Sequence, residues 1–501
     1  MTTFDNAAAS SDRTVPRLHG FARGPVLTVA AVVGAAQFAA SFVDGYWFDE
    51  VYMLAIGRYH LDWGSADQPP LTPLLAALMD WIAPGSNVAL RLPAVLATAA
   101  AVVVAALIAR ELGGDRRAQT LTAGVQATTL WITLAGHWLT PYTLEPVQWL
   151  LLCWLLARWL RRRDDRLLLA VGVLAGIAAQ TKFQVLLLCA VLLLAVLVCG
   201  PRELLRRPLL WAAAGIGALI ALPTLLWQAA NGWPQLEMTS VVIDEAEALG
   251  GRGGVAVLLI ASAGLAGIVL ILYGLWRLLH ADELRAHRFL VVASLALYVL
   301  FVAAPGRPYY LGGLYGLLAA AGALGLQRRR EAGRQTWRWV AWPAYALSAA
   351  AAAGMLLLSA LSVTSTSAEI GEEIAQGTAA AYHALPPEVR DDTIIMGGSY
   401  ITAAYIDGYS RRYDLPQAYS SSRGYGWFPP PPQGKNTVLY VGADPAELRP
   451  HCTDVRKLLE MDTTTEAAPP GGAPDTNGWL CTGVRQSWAS LWPKLRNLSV
   501  R

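Results

Sequence analysis

Apolar residues in this chain gather in long, nearly unbroken runs rather than in the stripes or alternations of a water-soluble domain. Eleven runs approach the roughly 20 apolar residues that a helix needs to cross a bilayer. They cover 25–43, 88–109, 118–136, 143–160, 167–181, 183–200, 209–227, 255–277, 289–305, 308–326 and 339–362, the fifth being the shortest. The first reads as a retained helix, not a cleaved signal. Between the first two runs, residues 44–87 follow another pattern. Glu50–His60 and Leu71–Ile82 have helical apolar spacing but are too short to span. They predict helices lying at the interface, with Trp47, Trp63 and Trp81 at headgroup depth, roofing the membrane surface. Beyond the last run the pattern changes again. Thr393–Met396 and Thr437–Val441 read as short buried strands, while Pro429–Pro432 and the Gly/Pro/Thr-rich stretch at 462–477 read as exposed loops. The expectation is an all-α polytopic membrane protein of about 11 transmembrane helices, with interfacial helices in its first outer loop and a small C-terminal α/β domain. Its divisions would be a tail at 1–24, a transmembrane domain at 25–362 containing the loop 44–87, and a domain at 363–501.

Composition agrees with the pattern. The 501 residues are 55% hydrophobic and 15% charged, with a mean hydropathy of +0.39, too few charges to cover a soluble protein of this size. The net charge of +3 carries little information, and no clustered basic face suggests nucleic acid as a partner. The distribution of charge is more telling, because basic loops stay cytoplasmic. With the N-terminus inside, the arginine clusters at 158–166, 202–207 and 328–338 all fall inside. Only Arg58, Arg91, Lys182, Arg252 and Arg307 fall outside. An odd number of spans then makes residues 363–501 extracytoplasmic, anchored to the plasma membrane. Of the five cysteines, Cys153, Cys189 and Cys199 read as small buried hydrophobes. Cys452 and Cys481 stand in a compartment that permits a disulfide, and whether they pair is left open. No cysteine spacing matches a zinc or redox motif.

Chemistry concentrates on the outer side. Asp49 and Glu50 close the first span beside Tyr46, Trp47 and Phe48. They are either solvated end charges or partly buried carboxylates, and partial burial would raise the pKa and suit one of them to act as a base. Asp67 precedes Pro69 and Pro70, which stiffen the chain around its carboxylate. Lys182 is the first lysine in the chain, the next being Lys435, and it lies between two spans, as a snorkelling anchor or an anion ligand. Arg307 with Tyr309 and Tyr310 offers a second cation, or a flanking charge. Glu145 lies just inside a span. His60 and His137 are outer-side candidates that read more simply as hydrogen-bonded histidines. The acidic residues Asp244, Glu245 and Glu247 read as a solvated loop. The 19 tryptophans fit interface anchors first and sugar-stacking platforms second.

FDEVY followed by HLDWGSADQPPLTPLLAAL resembles bacterial glycosyltransferases related to dolichyl-phosphate-mannose protein mannosyltransferases and to the lipid A aminoarabinose transferase. The resemblance runs on through GHWLTPYTLEPVQWLL, QTKFQVLLL, LPTLLWQAANGWPQLE and GRPYYLGGLYG, and returns in DPAELRPHCTDV and WLCTGVRQSWASLW. It implies a type C glycosyltransferase fold that moves a mannose-like or aminoarabinose-like sugar from a polyprenyl-phosphate donor. The acceptor would be a glycan, glycolipid, protein or natural product on the outer membrane face. It also implies a catalytic role for Asp49, with Glu50 beside it, and places Asp67 near the donor phosphate or a divalent metal. His60, His137 and Glu145 would lie in that neighbourhood. Asp67-Gln68 stands where the aminoarabinose enzyme carries Glu-Lys, a departure that bears on any metal. Lys182, Arg307, Tyr309 and Tyr310 supply what a leaving phosphate needs, and direct displacement would invert the anomeric centre. The alternative is a transporter or flippase of a lipid-linked saccharide, which should show repeated halves and broken helices with midplane charges. No repeat is visible.

Overall fold

The protein is described by a computed structural model over residues 18–334, 338–460 and 476–499. Most of the N-terminal tail expected at 1–24, and nearly all of the Gly/Pro/Thr-rich stretch at 462–477, lie outside these residues. The first helices are α1 (Arg23–Ala40), α2 (Phe48–Tyr59), α3 (Leu71–Ile82), α4 (Asn87–Glu111), α5 (Arg116–Ala127), α6 (Leu130–Ala135) and α7 (Pro141–Arg162). They are followed by α8 (Arg166–Ala179), α9 (Gln184–Cys199), α10 (Pro208–Ala230), α11 (Pro234–Glu245), α12 (Gly251–Ala261) and α13 (Leu265–His280). The set continues with α14 (Arg288–Ala303), α15 (Tyr315–Glu331) and α16 (Arg338–Leu358). Ten of the eleven apolar runs overlie one of these helices or a consecutive pair, while the run at 308–326 begins in turns and becomes helical only from Tyr315. Among the described residues, five helices are long and apolar enough to cross a membrane, or six if one bent pair counts as a single span. The chain is a multi-pass membrane protein.

Two runs read as continuous spans are broken. The run at 118–136 divides into α5 and α6 at Thr128–Thr129. The run at 255–277 divides into α12 and α13, bent by 95°, at Gly264, whose φ of +73° suits a residue without Cβ. The two breaks meet: Leu130 N–H donates to the Ser262 carbonyl at 2.9 Å, and a Cβ on Gly264 would press on the Thr128 carbonyl. Backbone freed at one break is thus satisfied at the other, as low-dielectric surroundings require. Elsewhere small residues set the packing distance. Gly172 and Gly176 of α8 sit directly against the backbone of α10 at Ala213 and Gly217, a small-xxx-small crossing.

The tail adds α17 (Ser365–His383), α18 (Pro387–Asp392), α19 (Tyr400–Tyr413) and α20 (Trp488–Leu495) around a five-stranded sheet. Its strands are β1 (Thr393–Gly397), β2 (Ala418–Tyr419), β3 (Thr437–Gly442), β4 (Asp454–Glu460) and β5 (Asn477–Thr482), in the order β2-β1-β3-β5-β4. β1 pairs parallel with β2 and β3, and β5 antiparallel with β3 and β4. Both expected strands are present, fully buried and in register from Thr393–Thr437 to Gly397–Val441. A disulfide joins Cys452 to Cys481.

The roof differs from the expectation in one respect. Every residue of α2 from Glu50 to Ile56 is buried, because α19 covers the face that was expected to meet lipid. Gly408 of α19 permits this, since a Cβ there would collide with Val51. Arg58 clamps the layers together: it pairs with Asp80 of α3 at 2.7 Å and donates to the Asp407 and Gly408 carbonyls at 3.1 and 2.7 Å. α3 does keep an open apolar face at Leu74, Leu78, Trp81 and Ile82. Trp63 is exposed. Trp47 instead stacks on Trp138 with ring centres 4.4 Å apart.

Candidate active site

Asp49 and Glu50 are neighbours in the first turn of α2, and successive helical residues point about 100° apart. They therefore meet different surroundings. Glu50 is fully buried and committed to Arg91: both carboxylate oxygens accept from the guanidinium at 3.0 to 3.2 Å. Arg91 spends its remaining donors on the carbonyls of Ser41, Val43 and Gly45. Glu50 also accepts from the Leu139 N–H at 3.3 Å. This pair pins the chain that leads from α1 into α2, and it leaves Glu50 no oxygen for a substrate.

Asp49 is only half-buried although protein surrounds it. Burial pushes its pKa up to about 6. Arg423 and Arg307 oppose the rise by favouring the charged form, as does a hydrogen bond from Tyr142, while Asp67 adds to it. The Tyr142 hydroxyl itself accepts from Trp47 Nε1 at 2.9 Å. The result is an accessible carboxylate poised near neutrality.

Cations collect around it. Lys182 stands 3.4 Å from Glu145 and over the rings of Tyr310 and Tyr309, at 4.4 and 4.9 Å from their centres. Tyr309 packs on Tyr142, ring centres 4.8 Å apart, so the lysine cage and Asp49 share a wall. Arg307 pairs with Glu245 at the end of α11, and so does Arg423. Glu245 thus departs from the solvated reading, whereas Asp244 and Glu247 are exposed as expected. Asp67 accepts from the hydroxyls of Tyr52 at 2.8 Å and Ser65 at 3.3 Å, and from Gln68 at 3.3 Å. Gly424 closes this corner: a Cβ there would strike the Tyr52 hydroxyl and lie 3.0 Å from Asp67 Oδ1.

The structure therefore brings together Asp49, Asp67, Glu145, Lys182, Arg307, Tyr309 and Tyr310. His60 and His137 stand apart. His60 stacks on Phe428 with ring centres 4.0 Å apart and bonds Gln417 at 3.2 Å, wedged under the tail. Burial lowers its pKa to about 4, so it is a neutral packing residue at physiological pH. His137 is buried and paired through Nδ1 with Gln37 at 2.9 Å. Among the described residues, no three His, Cys, Asp or Glu side chains group together to hold a metal. Asp49 and Asp67 share their surroundings with two guanidinium groups, a poor cage for a divalent ion.

Arg423 was not picked out from the sequence. It sits in SSSRGYGW, nine-tenths buried beside Tyr400, with a left-handed backbone (φ +50°) anchored by its N–H to the Asn497 carbonyl at 2.8 Å. An arginine amid small and aromatic residues was the available signal, but its partner Glu245 is 178 residues away.

A roofed carboxylate, ringed by basic and phenolic groups at one end of a bundle of apolar helices, is the geometry this multi-pass membrane protein presents. Residues 67–227 match the family described as dolichyl-phosphate-mannose-protein mannosyltransferase. Over most of its length the chain shares the fold of ArnT from Cupriavidus metallidurans. The TM-score to the apo structure is 0.63 at 16% identity, covering 94% of this chain and 99% of that one. For the structure bound to undecaprenyl phosphate it is 0.61 at 16% identity, covering 95% and 99%. The arabinofuranosyltransferase AftD from Mycobacteria is similar at a TM-score of 0.50 and 16% identity, over 93% of this chain and 42% of that one. No curated protein matches the chain in sequence.

Proposed function

We propose that the protein is a membrane glycosyltransferase that moves a sugar from a polyprenyl-phosphate donor to an acceptor hydroxyl at the outer face, with Asp49 as base. The observation that carries this reading is the half-open Asp49 carboxylate set beside Arg307 and Arg423, with the Lys182 cage across the shared Tyr142–Tyr309 wall. The fold shared with ArnT, seen there with undecaprenyl phosphate, supports a lipid-linked donor, and the mannosyltransferase family match favours a mannose-like sugar over an aminoarabinose-like one.

In the step proposed, Asp49 takes the proton of the acceptor hydroxyl as its oxygen bonds to the anomeric carbon. The bond from that carbon to the phosphate oxygen breaks, and the electron pair leaves with the polyprenyl phosphate. Attack opposite the leaving group inverts the centre. Arg307, Arg423 and Lys182 stabilise the departing phosphate, and Tyr309 and Tyr310 hold the lysine in place. Asp67 positions the Tyr52 hydroxyl at the donor's edge. Glu50 orients the start of α2 through Arg91. The arginine distribution supports a cytoplasmic N-terminus and an extracytoplasmic tail.

The test is the purified protein in nanodiscs given several synthetic polyprenyl-phosphate sugars, with sugar release or transfer scored by mass spectrometry. Asp49→Asn should abolish turnover while leaving expression and insertion intact. Retained turnover in that variant removes Asp49 from the chemistry. The bent α12–α13 pair is a feature of transporters as well and keeps a flippase as the second reading. That break and the α5–α6 break it meets carry Ser262, Thr128 and Thr129 but no charge, which favours the transferase. Failure with every donor would reverse that preference.

A further inference from the structure

A second cleft opens on the roof, bounded by Asp44–Tyr46 and Pro84–Asn87 on one side and by α19 on the other. Its volume is about 380 Å³, within the roughly 300–1,000 Å³ of small-molecule sites. The reaction proposed above makes no use of it.

Its chemistry is that of a site for neutral, hydroxyl-rich ligands. Three arginines line it, and three carboxylates balance them only when Asp44 on the cleft wall is counted with Asp80 and Glu372. Arg58 and Arg411 share Asp80 at 2.7 and 3.0 Å, and Arg412 takes Glu372 at 3.0 Å. A second anion would find the local charge spent. What remains is a fan of N–H donors on Arg411 and Arg412, both more than half exposed, facing the Asp44 carboxylate, which accepts from Asn87 at 3.1 Å. Tyr46 and Tyr409 meet edge to face below them, ring centres 5.3 Å apart. Tyr409 is 5% exposed, and its hydroxyl has no hydrogen-bond partner among the described residues. That hydroxyl is sealed beneath the cleft floor, so the groups a ligand meets are the Arg411 and Arg412 N–H donors, the Asn87 amide and the Asp44 carboxylate.

The cleft is coupled to the reaction centre. Gly45 on its wall and Asp49 are four residues apart, within about 14 Å even for fully extended chain. Arg91 holds the Gly45 carbonyl and Glu50 at once. We propose that this cleft is a saccharide subsite, which holds a neutral sugar segment of the acceptor while the hydroxyl to be glycosylated reaches Asp49. The proposal rests on the transferase reading for the acceptor's role, but the subsite itself can be tested without turnover.

Saturation-transfer NMR on the full-length protein in nanodiscs, with mannotriose and maltotriose as probes, would detect binding directly. The wild type should bind at least one trisaccharide, and Arg412→Ala and Asn87→Ala should each weaken it by about threefold to tenfold, the effect of one lost hydrogen bond. Arg412 is exposed and Asn87 lies outside the packed core, so both variants should fold. No binding by the wild type, or unchanged binding in both variants, overturns the proposal. Displacement of the trisaccharide by millimolar inorganic phosphate also overturns it, because the cleft would then be an anion site. Absence of donor turnover by the wild type would instead refute the transferase reading and leave trisaccharide binding as a separate result.

Discussion

The pH dependence of turnover tests the assignment of Asp49 most sharply. An ordinary aspartate titrates near 3.9, so between pH 7 and pH 5 it stays almost wholly charged. A base raised to about 6 is about nine-tenths charged at pH 7 and about one-tenth charged at pH 5. The kcat/KM of the free enzyme should therefore fall about tenfold over that interval, along a single limb centred near 6. Because Arg423 is the strongest of the groups that hold the pKa down, Arg423→Ala should move the limb to higher pH as well as lower its height. Asp49→Asn should remove the limb and cost about 10²- to 10⁴-fold in rate, the usual contribution of a positioned base. The assay is initial-rate sugar release from a polyprenyl-phosphate sugar in nanodiscs, buffered at steps from pH 4.5 to 8, with folding checked at each step by intrinsic fluorescence. A flat profile from pH 5 to 7 in a folded, active protein would refute both the raised carboxyl and its use as the base.

Other consequences follow from the same coordinates. Glu50→Gln leaves Arg91 buried with no countercharge and should cost about 3–5 kcal/mol, read as a lowered Tm in detergent; an unchanged Tm would mean the pair is not the anchor described. Lys182→Ala should raise KM for the lipid donor by about 10- to 100-fold, the worth of one hydrogen bond to a charged group, and unchanged donor affinity would reduce the lysine to a membrane anchor. Asp407, fully buried beneath α2, accepts from the Ala418 N–H at 2.7 Å and the Tyr425 hydroxyl at 2.6 Å, and burial pushes its pKa up to about 7. A raised folded pKa stabilises the protein below the ordinary carboxylate range, and that contribution is lost as pH rises through 7. Thermal stability should accordingly fall from pH 5 to pH 8, and Asp407→Asn should flatten the decline; an equal slope in the variant would contradict the assignment.

The apolar runs made the helices legible because a membrane span is defined by composition over a long window, which no single substitution obscures. The breaks in two of them were not legible. Thr128–Thr129 and Ser262–Gly264 are small and mildly polar, common within spans, and the bend depends on two segments more than a hundred residues apart satisfying each other's backbone. The roof was misread where the tail lands on it, since the stretch from Val51 to Ile56 in α2 carries no charge on any side and sequence does not say whether lipid or protein covers such a surface. At the site, burial, aromatic neighbours and a proline pair marked Asp49 and Asp67. Adjacent carboxylates carry no label for which one meets an arginine, and only the helix phase assigns Glu50 to Arg91. Arg423 escaped because its importance lies in a pairing across 178 residues, while locally it is one polar residue in a loop.

That pairing has a temporal side. Chains emerge N-terminus first and domains generally fold as units, so the helical bundle, Arg307 and Glu245 included, exists before the strand-and-helix layer that bears Arg423. Until that layer folds onto the roof, Glu245 has one guanidinium instead of two, and the opening above Asp49 lacks its far side. On the proposed reaction, a half-made molecule would therefore lack one of the charges that receive the leaving phosphate, and the site would be complete only once the layer bearing Arg423 has docked.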